Sequence, residues 1–258
     1  MTGTDEPSLF ADLDILSAGA ASLGVPLAAD QLAQFRRFGE LLLRGNERMN
    51  LTAITEPAQV QTLHFLDALA LVPAIRAWCA TAGQDDPTLV DVGSGAGMPG
   101  LPLKIALPAL RVTLLDATGK RVRFLQETIT ALGLRGIGAV QGRAEEVGRH
   151  PEWRERFDLA TARAVARLPT LLEWCLPLIR PGGLLLAPKA GDLADELTQG
   201  ERAAALLGGQ LLGAPPVDLA ELPGRVLVLI AKERRTHTRY PRGGGQPANN
   251  PLGAADQP

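Results

Sequence analysis

A chain of 258 residues, 46% hydrophobic and 21% charged, has the composition of a globular protein able to bury one main domain and an appendage. No uninterrupted apolar run reaches the roughly 18 to 20 residues of a membrane span, and no basic-then-apolar leader opens the sequence, so a cytoplasmic protein with no membrane partner is expected. The net charge of -2 hides an asymmetry, because residues 1–30 hold five acids and no Lys or Arg, whereas Lys232 to Arg242 holds five bases against Glu233 alone.

From Leu9 to about Ala80 the apolar spacing is helical, as in Leu32, Phe35, Leu42 and Leu43. Asp30 is the expected N-cap of the second helix, Gly45-Asn46 the expected break, and Thr55-Glu56-Pro57 a fresh start. Residues 1–82 therefore read as a small helical N-terminal extension. A polar link of turn formers, Gly83 to Pro87, marks its boundary. Strands are then expected at Thr88–Val92, Arg111–Leu115, Ile137–Gln141, Phe157–Ala162 and Gly183–Pro188, with helices from about Leu101, over Lys120–Leu132 and over Leu168–Leu178. Such alternation predicts a doubly wound α/β domain, mostly parallel, over residues 83–235. Gln210–Leu219 and Arg225–Lys232 are joined only by Glu221-Leu222-Pro223-Gly224. That link is too short for a helical crossover, so the seven-stranded sheet should close in a C-terminal antiparallel hairpin. Residues 236–258 read as a basic, Gly/Pro-rich tail unable to fold alone.

The chemistry begins at Asp91-Val92-Gly93-Ser94-Gly95-Ala96-Gly97-Met98-Pro99-Gly100. Alternate glycines after a strand let the backbone turn sharply and approach a ligand closely. The spacing alone fits a dinucleotide turn as well as a methyl-donor turn. Asp91, inside the strand two residues before Gly93, is unusual in a dinucleotide turn, and a nicotinamide domain would keep its sixth strand parallel. Both features favour S-adenosylmethionine. Asp116, 16 residues after Gly100 at the end of the second strand, is placed to accept from two ribose hydroxyls. Gly142-Arg143-Ala144-Glu145 follows the third strand, where an adenine edge would lie.

After the fourth strand stands Thr161-Ala162-Arg163-Ala164-Val165, rather than a motif that polarises an exocyclic amine. Cys79 and Cys175 lie in helix-like segments with no metal-ligand spacing, so buried thiols and no metal are expected, and neither is placed as a pyrimidine nucleophile. Arg121, Arg123, Arg163, Arg167 and Lys189 should gather at the carboxyl edge of the sheet, Arg123 being the one that reads most simply as a solvated helix face. Lys232, Arg234 and Arg235 add a basic stretch suited to phosphate. His64 and Asp67, one helical turn apart, read more simply as a packing contact between extension and sheet than as an active-site pair.

These motifs, with Asn46-Glu47-Arg48-Met49-Asn50-Leu51-Thr52, His64-Phe65-Leu66-Asp67, Leu115-Asp116-Ala117-Thr118-Gly119-Lys120-Arg121 and Tyr240-Pro241-Arg242, closely resemble the RsmG (GidB) family, bacterial enzymes that methylate guanine N7 in a loop of 16S ribosomal RNA. The resemblance runs from about Leu32 to Leu252; Met98 stands where Phe or Leu is frequent, and residues 1–30 match nothing in the family pattern. It implies an S-adenosylmethionine site on Gly93, Gly95, Met98, Asp116, Ala117, Thr118, Ala144, Glu145 and Arg163, with 16S RNA or the small ribosomal subunit as partner. A monomer is expected. Guanine N7 presents a lone pair and no proton, so no catalytic side chain is assigned. The competing readings are an assembly factor that binds the cofactor without catalysis and a nicotinamide-dependent oxidoreductase.

Overall fold

The computed structural model describes residues 9–254. Strands β1 (Thr88–Val92), β2 (Arg111–Asp116), β3 (Ile137–Gln141), β4 (Phe157–Thr161), β5 (Ile179–Ala190), β6 (Gly209–Gly213) and β7 (Arg225–Lys232) form one sheet in the order β3-β2-β1-β4-β5-β7-β6. The pairs among β1 to β5 are parallel, and β7 runs antiparallel to both β5 and β6. Successive strand residues point to opposite faces. Leu89, Leu114, Leu159 and Leu184 thus enter one core, and Val90, Leu115, Ala160 and Leu185 the other. Burial on both faces is why these strands read as nearly continuous apolar runs.

The extension consists of α1 (Asp14–Ser22), α2 (Ala29–Met49), α3 (Pro57–Val60), a π-helical turn (Gln61–Leu66), α4 (Asp67–Leu69) and α5 (Val72–Ala82). With α6 (Gly100–Ala106) and α7 (Gly119–Ala131) it shares the first core: Phe35, Phe38, Phe65 and Leu66 belong to one cluster with Leu101 and Leu114. One 18-residue window in residues 57–82 reaches a mean hydropathy of 1.4, enough in length and composition for a membrane span. Its apolarity goes into this core, where Phe65, Leu66, Leu69 and Leu71 are fully buried.

Two expectations about α2 are corrected. The helix runs through Gly45-Asn46 to Met49. Gly45 is there for close approach, since a Cβ would lie 2.6 Å from Phe124 Cε2. The stop falls at Asn50, in the left-handed region with φ +50°. Asp30 does not cap; the Gln31 side chain reaches back to accept the Ala28 N–H at 2.9 Å.

The second core is covered by α8 (Ala144–Val147), α9 (Leu168–Cys175) and α10 (Ala194–Leu207). The periodicity gave no sign of α10. Its Gly200 packs directly on Leu168, where a Cβ would meet Cδ2 at 2.4 Å. β6 ends at Gly213, earlier than expected, because Pro215 and Pro216 follow and leave only an isolated bridge from Pro216 to Val226. Cys175 is buried in the second core, whereas Cys79 is only half-buried.

Residues 236–254 lie on the domain. Arg154 donates to the carbonyls of Thr236 (2.6 Å) and Tyr240 (2.8 Å). The fully buried Glu173 pairs with Arg242 at 2.7 Å. Tyr240 and Leu252 enter the second core, and α11 (Gln246–Asn249) follows. The low apolar content of this segment is offset by hydrogen bonds to its backbone.

Candidate cofactor and acceptor sites

Gly93, Gly95 and Gly97 take φ of +74°, +56° and +94°, conformations that cost an L-residue about 1–2 kcal/mol each. The turn is tied to β2, whose Leu115 carbonyl accepts from the N–H groups of Gly93 (2.8 Å) and Ser94 (3.1 Å). Asp91 Oδ2 accepts the Gly100 N–H at 2.9 Å. Gly100 is required there, since a Cβ would stand 2.8 Å from that oxygen. Burial pushes the Asp91 carboxyl up to about 7, and its Oδ1 is buried without a partner.

Asp116 is the second anchor. Its Oδ2 accepts the Gly95 N–H at 2.9 Å and its Oδ1 the Thr118 N–H at 2.8 Å, so one carboxylate holds both loops at the end of the strands. Beside it lies a cavity of about 170 Å³. Val92, Leu115, Val165 and Trp174 give it apolar walls, and Gly93, Ala117 and the stretch Gly142-Arg143-Ala144-Glu145 complete it. Val165 sits on the turn, 2.5 Å from where a Gly93 Cβ would be. An apolar slot of this size, with Glu145 in its lining and Asp116 next to Ala117, fits the adenosine part of S-adenosylmethionine. Trp174 was not expected from the sequence, where it reads as one apolar position of a core helix; its Nε1 is buried and unpartnered.

Two expected cofactor residues are placed elsewhere. The Met98 side chain packs into the first core. Arg163 turns away from the slot towards the extension, donating to Leu63 O (2.8 Å), Asp67 Oδ2 (3.0 Å) and His64 Nδ1 (3.0 Å). The π-helical turn makes this possible: the Asp67 N–H goes to Thr62 O and His64 O, which leaves the Leu63 carbonyl for Arg163. Asp67 is fully buried, and its Oδ1 also lies 2.6 Å from Arg225 Nε. The angle there is poor for a hydrogen bond, so that contact is Coulombic. Arg163, His64, Asp67, Arg225 and Lys189 border a second cavity of about 360 Å³ with Ile54 and Leu63. His64 and Asp67 thus do join the extension to the sheet, through a polar network rather than apolar packing. Arg225 was missed, although the first residue of a strand antiparallel to β5 necessarily reaches the carboxyl edge.

Both ring nitrogens of His64 are engaged. Because Arg163 can only donate, Nδ1 accepts, and Nε2–H donates to Thr52 Oγ1 at 2.8 Å. Burial, and then the Arg163 guanidinium, push His64 down to about 4. Between pH 6.5 and about 4 the unfolded chain therefore takes up a proton that the folded chain refuses. Stability falls as pH drops through that window, by up to about 3 kcal/mol, and this contribution is flat above it. Thermal unfolding from pH 8 to 5 should show a loss for the natural chain that is clearly smaller in His64→Gln.

Of the residues expected at RNA, Arg167 is exposed at the N-cap of α9, beside the carboxyl edge. Lys189 is largely covered and paired with Glu196 at 2.5 Å, and Arg121 lies 3.8 Å from Asp116. Lys232, Arg234 and Arg235 are corrected. β7 runs antiparallel, so its far end lies at the opposite edge of the sheet from the turn. Lys232 is 1% exposed; its ammonium donates to Leu176 O (2.7 Å) and to Thr236 Oγ1, and burial pushes it down to about 8. Arg234 donates to the Ala205 carbonyl, and Arg235 is exposed on that far edge.

A 3-2-1-4-5-7-6 sheet with a glycine turn after β1 and a carboxylate ending β2 defines an S-adenosylmethionine-dependent methyltransferase of class I architecture. The crystal structure of MtNAS in complex with MTA and tNA shares the fold, with a TM-score of 0.52 at 12% identity over 89% of this chain and 79% of that one. The sequence family described as GidB, rRNA small subunit methyltransferase G, matches residues 31–220, and the chain belongs to it. Relatives named ribosomal RNA small subunit methyltransferase G include those of Roseiflexus sp. (strain RS-1), 45% identical over 93% of this chain and 100% of the relative, and Leuconostoc citreum, 43% identical over 89% and 94%.

Proposed function

We propose that the protein transfers the methyl group of S-adenosylmethionine to N7 of a guanine in 16S ribosomal RNA. The observation that carries this reading is the Asp116 clamp on the glycine turn, in a chain that spans the full length of a relative named for methylation of small-subunit ribosomal RNA. When bound, the cofactor supplies a sulfonium methyl open to in-line attack. The protein's part is to hold and orient: Asp116 takes the ribose hydroxyls, Glu145 and the Ala144 backbone meet the adenine edge, and Asp91 fixes the turn through the Gly100 N–H. Guanine N7 has no proton to lose, so the site needs positioning rather than a base. The full engagement of both His64 nitrogens agrees with that.

The acceptor guanine enters the cavity bordered by Arg163, Lys189 and Arg225, with Arg121 and Arg167 beside it for phosphate. The protein works as a monomer in the cytoplasm, with the RNA or the small subunit as its partner and no membrane. Calorimetry is expected to detect binding of S-adenosylhomocysteine and none of NAD. Binding of NAD alone would sink the methyltransferase reading in favour of an oxidoreductase.

A further inference from the structure

Between α2 and α7 runs a groove of about 520 Å³ that neither the cofactor slot nor the acceptor cavity uses. Its floor is apolar, with Leu41, Met49, Phe124 and Ala131, and its rim carries Arg44 and Arg48 from α2 and Lys120 and Arg123 from α7. Glu127 is the one acid among these lining residues. Arg44 is engaged within its own helix, pairing with the Glu40 carboxylate at 3.6 Å and donating to the Glu40 carbonyl at 3.3 Å, and among the described residues the side chains of Arg48, Lys120 and Arg123 have no hydrogen-bond or ion-pair partner. Four like charges around one trough repel one another, which is unfavourable for the protein alone and favourable for a polyanion. Phe124 is only 5% exposed, so the floor offers no ring for bases to stack on. The chemistry suits a sugar–phosphate backbone.

The groove also leads to the acceptor cavity. Lys120 stands in the first turn of α7, two residues past the Thr118 whose N–H Asp116 holds. At the other wall, α2 ends at Asn50 and the chain passes through Thr52, bonded to His64, to Ile54 on the acceptor cavity. Resting on the function proposed above, we infer that the α2/α7 groove carries the ribose–phosphate backbone of the RNA strand flanking the methylated guanine.

The test uses the full chain, 16S RNA and tritiated S-adenosylmethionine over a salt series. Arg44→Glu/Arg48→Glu, and separately Arg123→Glu, should raise KM for RNA about tenfold or more in the double variant. kcat and S-adenosylhomocysteine affinity should stay within about twofold, and the slope of log affinity against log salt should shrink by about 1.5 in the double variant. Arg234→Glu/Arg235→Glu, on the far edge, should change neither KM nor slope. Unchanged KM and slope in both groove variants, while the natural chain methylates RNA, would overturn the groove and leave the function standing. Loss confined to intact subunits, with free RNA unaffected, would instead make the groove a protein contact and also overturn the inference. A natural chain that binds cofactor but neither binds nor methylates RNA would remove the function itself, and the groove with it.

Discussion

Asp116→Ala weakens binding of S-adenosylhomocysteine by about two orders of magnitude, or roughly 3 kcal/mol. The carboxylate takes the Gly95 and Thr118 N–H groups at 2.9 and 2.8 Å, and hydrogen bonds to a charged acceptor contribute about 1.5–3 kcal/mol each. Its removal frees the turn and the loop after β2 together, and it also removes the acceptor proposed for the ribose hydroxyls. Asp116→Asn keeps one acceptor oxygen and should lose about tenfold. Calorimetry on both variants checks this, with a thermal melt to confirm folding. An unchanged affinity in the Ala variant would take Asp116 out of the site.

Asp67→Ala is expected to lower stability by about 3–5 kcal/mol, the usual result of removing one partner from a buried ion pair. Asp67 is fully buried between Arg163 at 3.0 Å and Arg225 at 2.6 Å, whose side chains are only 13% and 21% exposed. Without it, two guanidiniums confront each other with little water. At about 2–4 °C per kcal/mol for a protein of this size, the melting temperature should fall by roughly 10 °C. Asp67→Asn retains an acceptor without the charge and should fall about half as far. A shift under about 2 °C for the Ala variant would mean that the network contributes nothing net.

The strands were legible as short runs bounded by turn formers: Thr88–Val92, Ile137–Gln141 and Arg225–Lys232 have the expected bounds. α10 was not, since its buried face has one large apolar residue, Leu207, beside Gly200, Ala203 and Ala204, which carry little periodic signal. The glycine turn and Asp116 could be read locally because strand, turn and carboxylate are close in sequence. Arg163 could not. Its direction depends on a carbonyl released by a π-helical turn 100 residues away, and no local pattern encodes that. The basic stretch after Lys232 shows a different gap: an antiparallel last strand was expected, and the same geometry sends Arg225 to the site and Lys232 to the far edge. That consequence followed from the topology rather than from the charge run.

The most direct test of the account is to incubate the purified protein with 16S RNA and labelled S-adenosylmethionine, then cleave chemically at N7-methylated guanines. A single strong stop at one guanine, abolished by Asp116→Ala, is the expected result. Label on an exocyclic amine or a ribose, or none at all under conditions where S-adenosylhomocysteine binds, would contradict it.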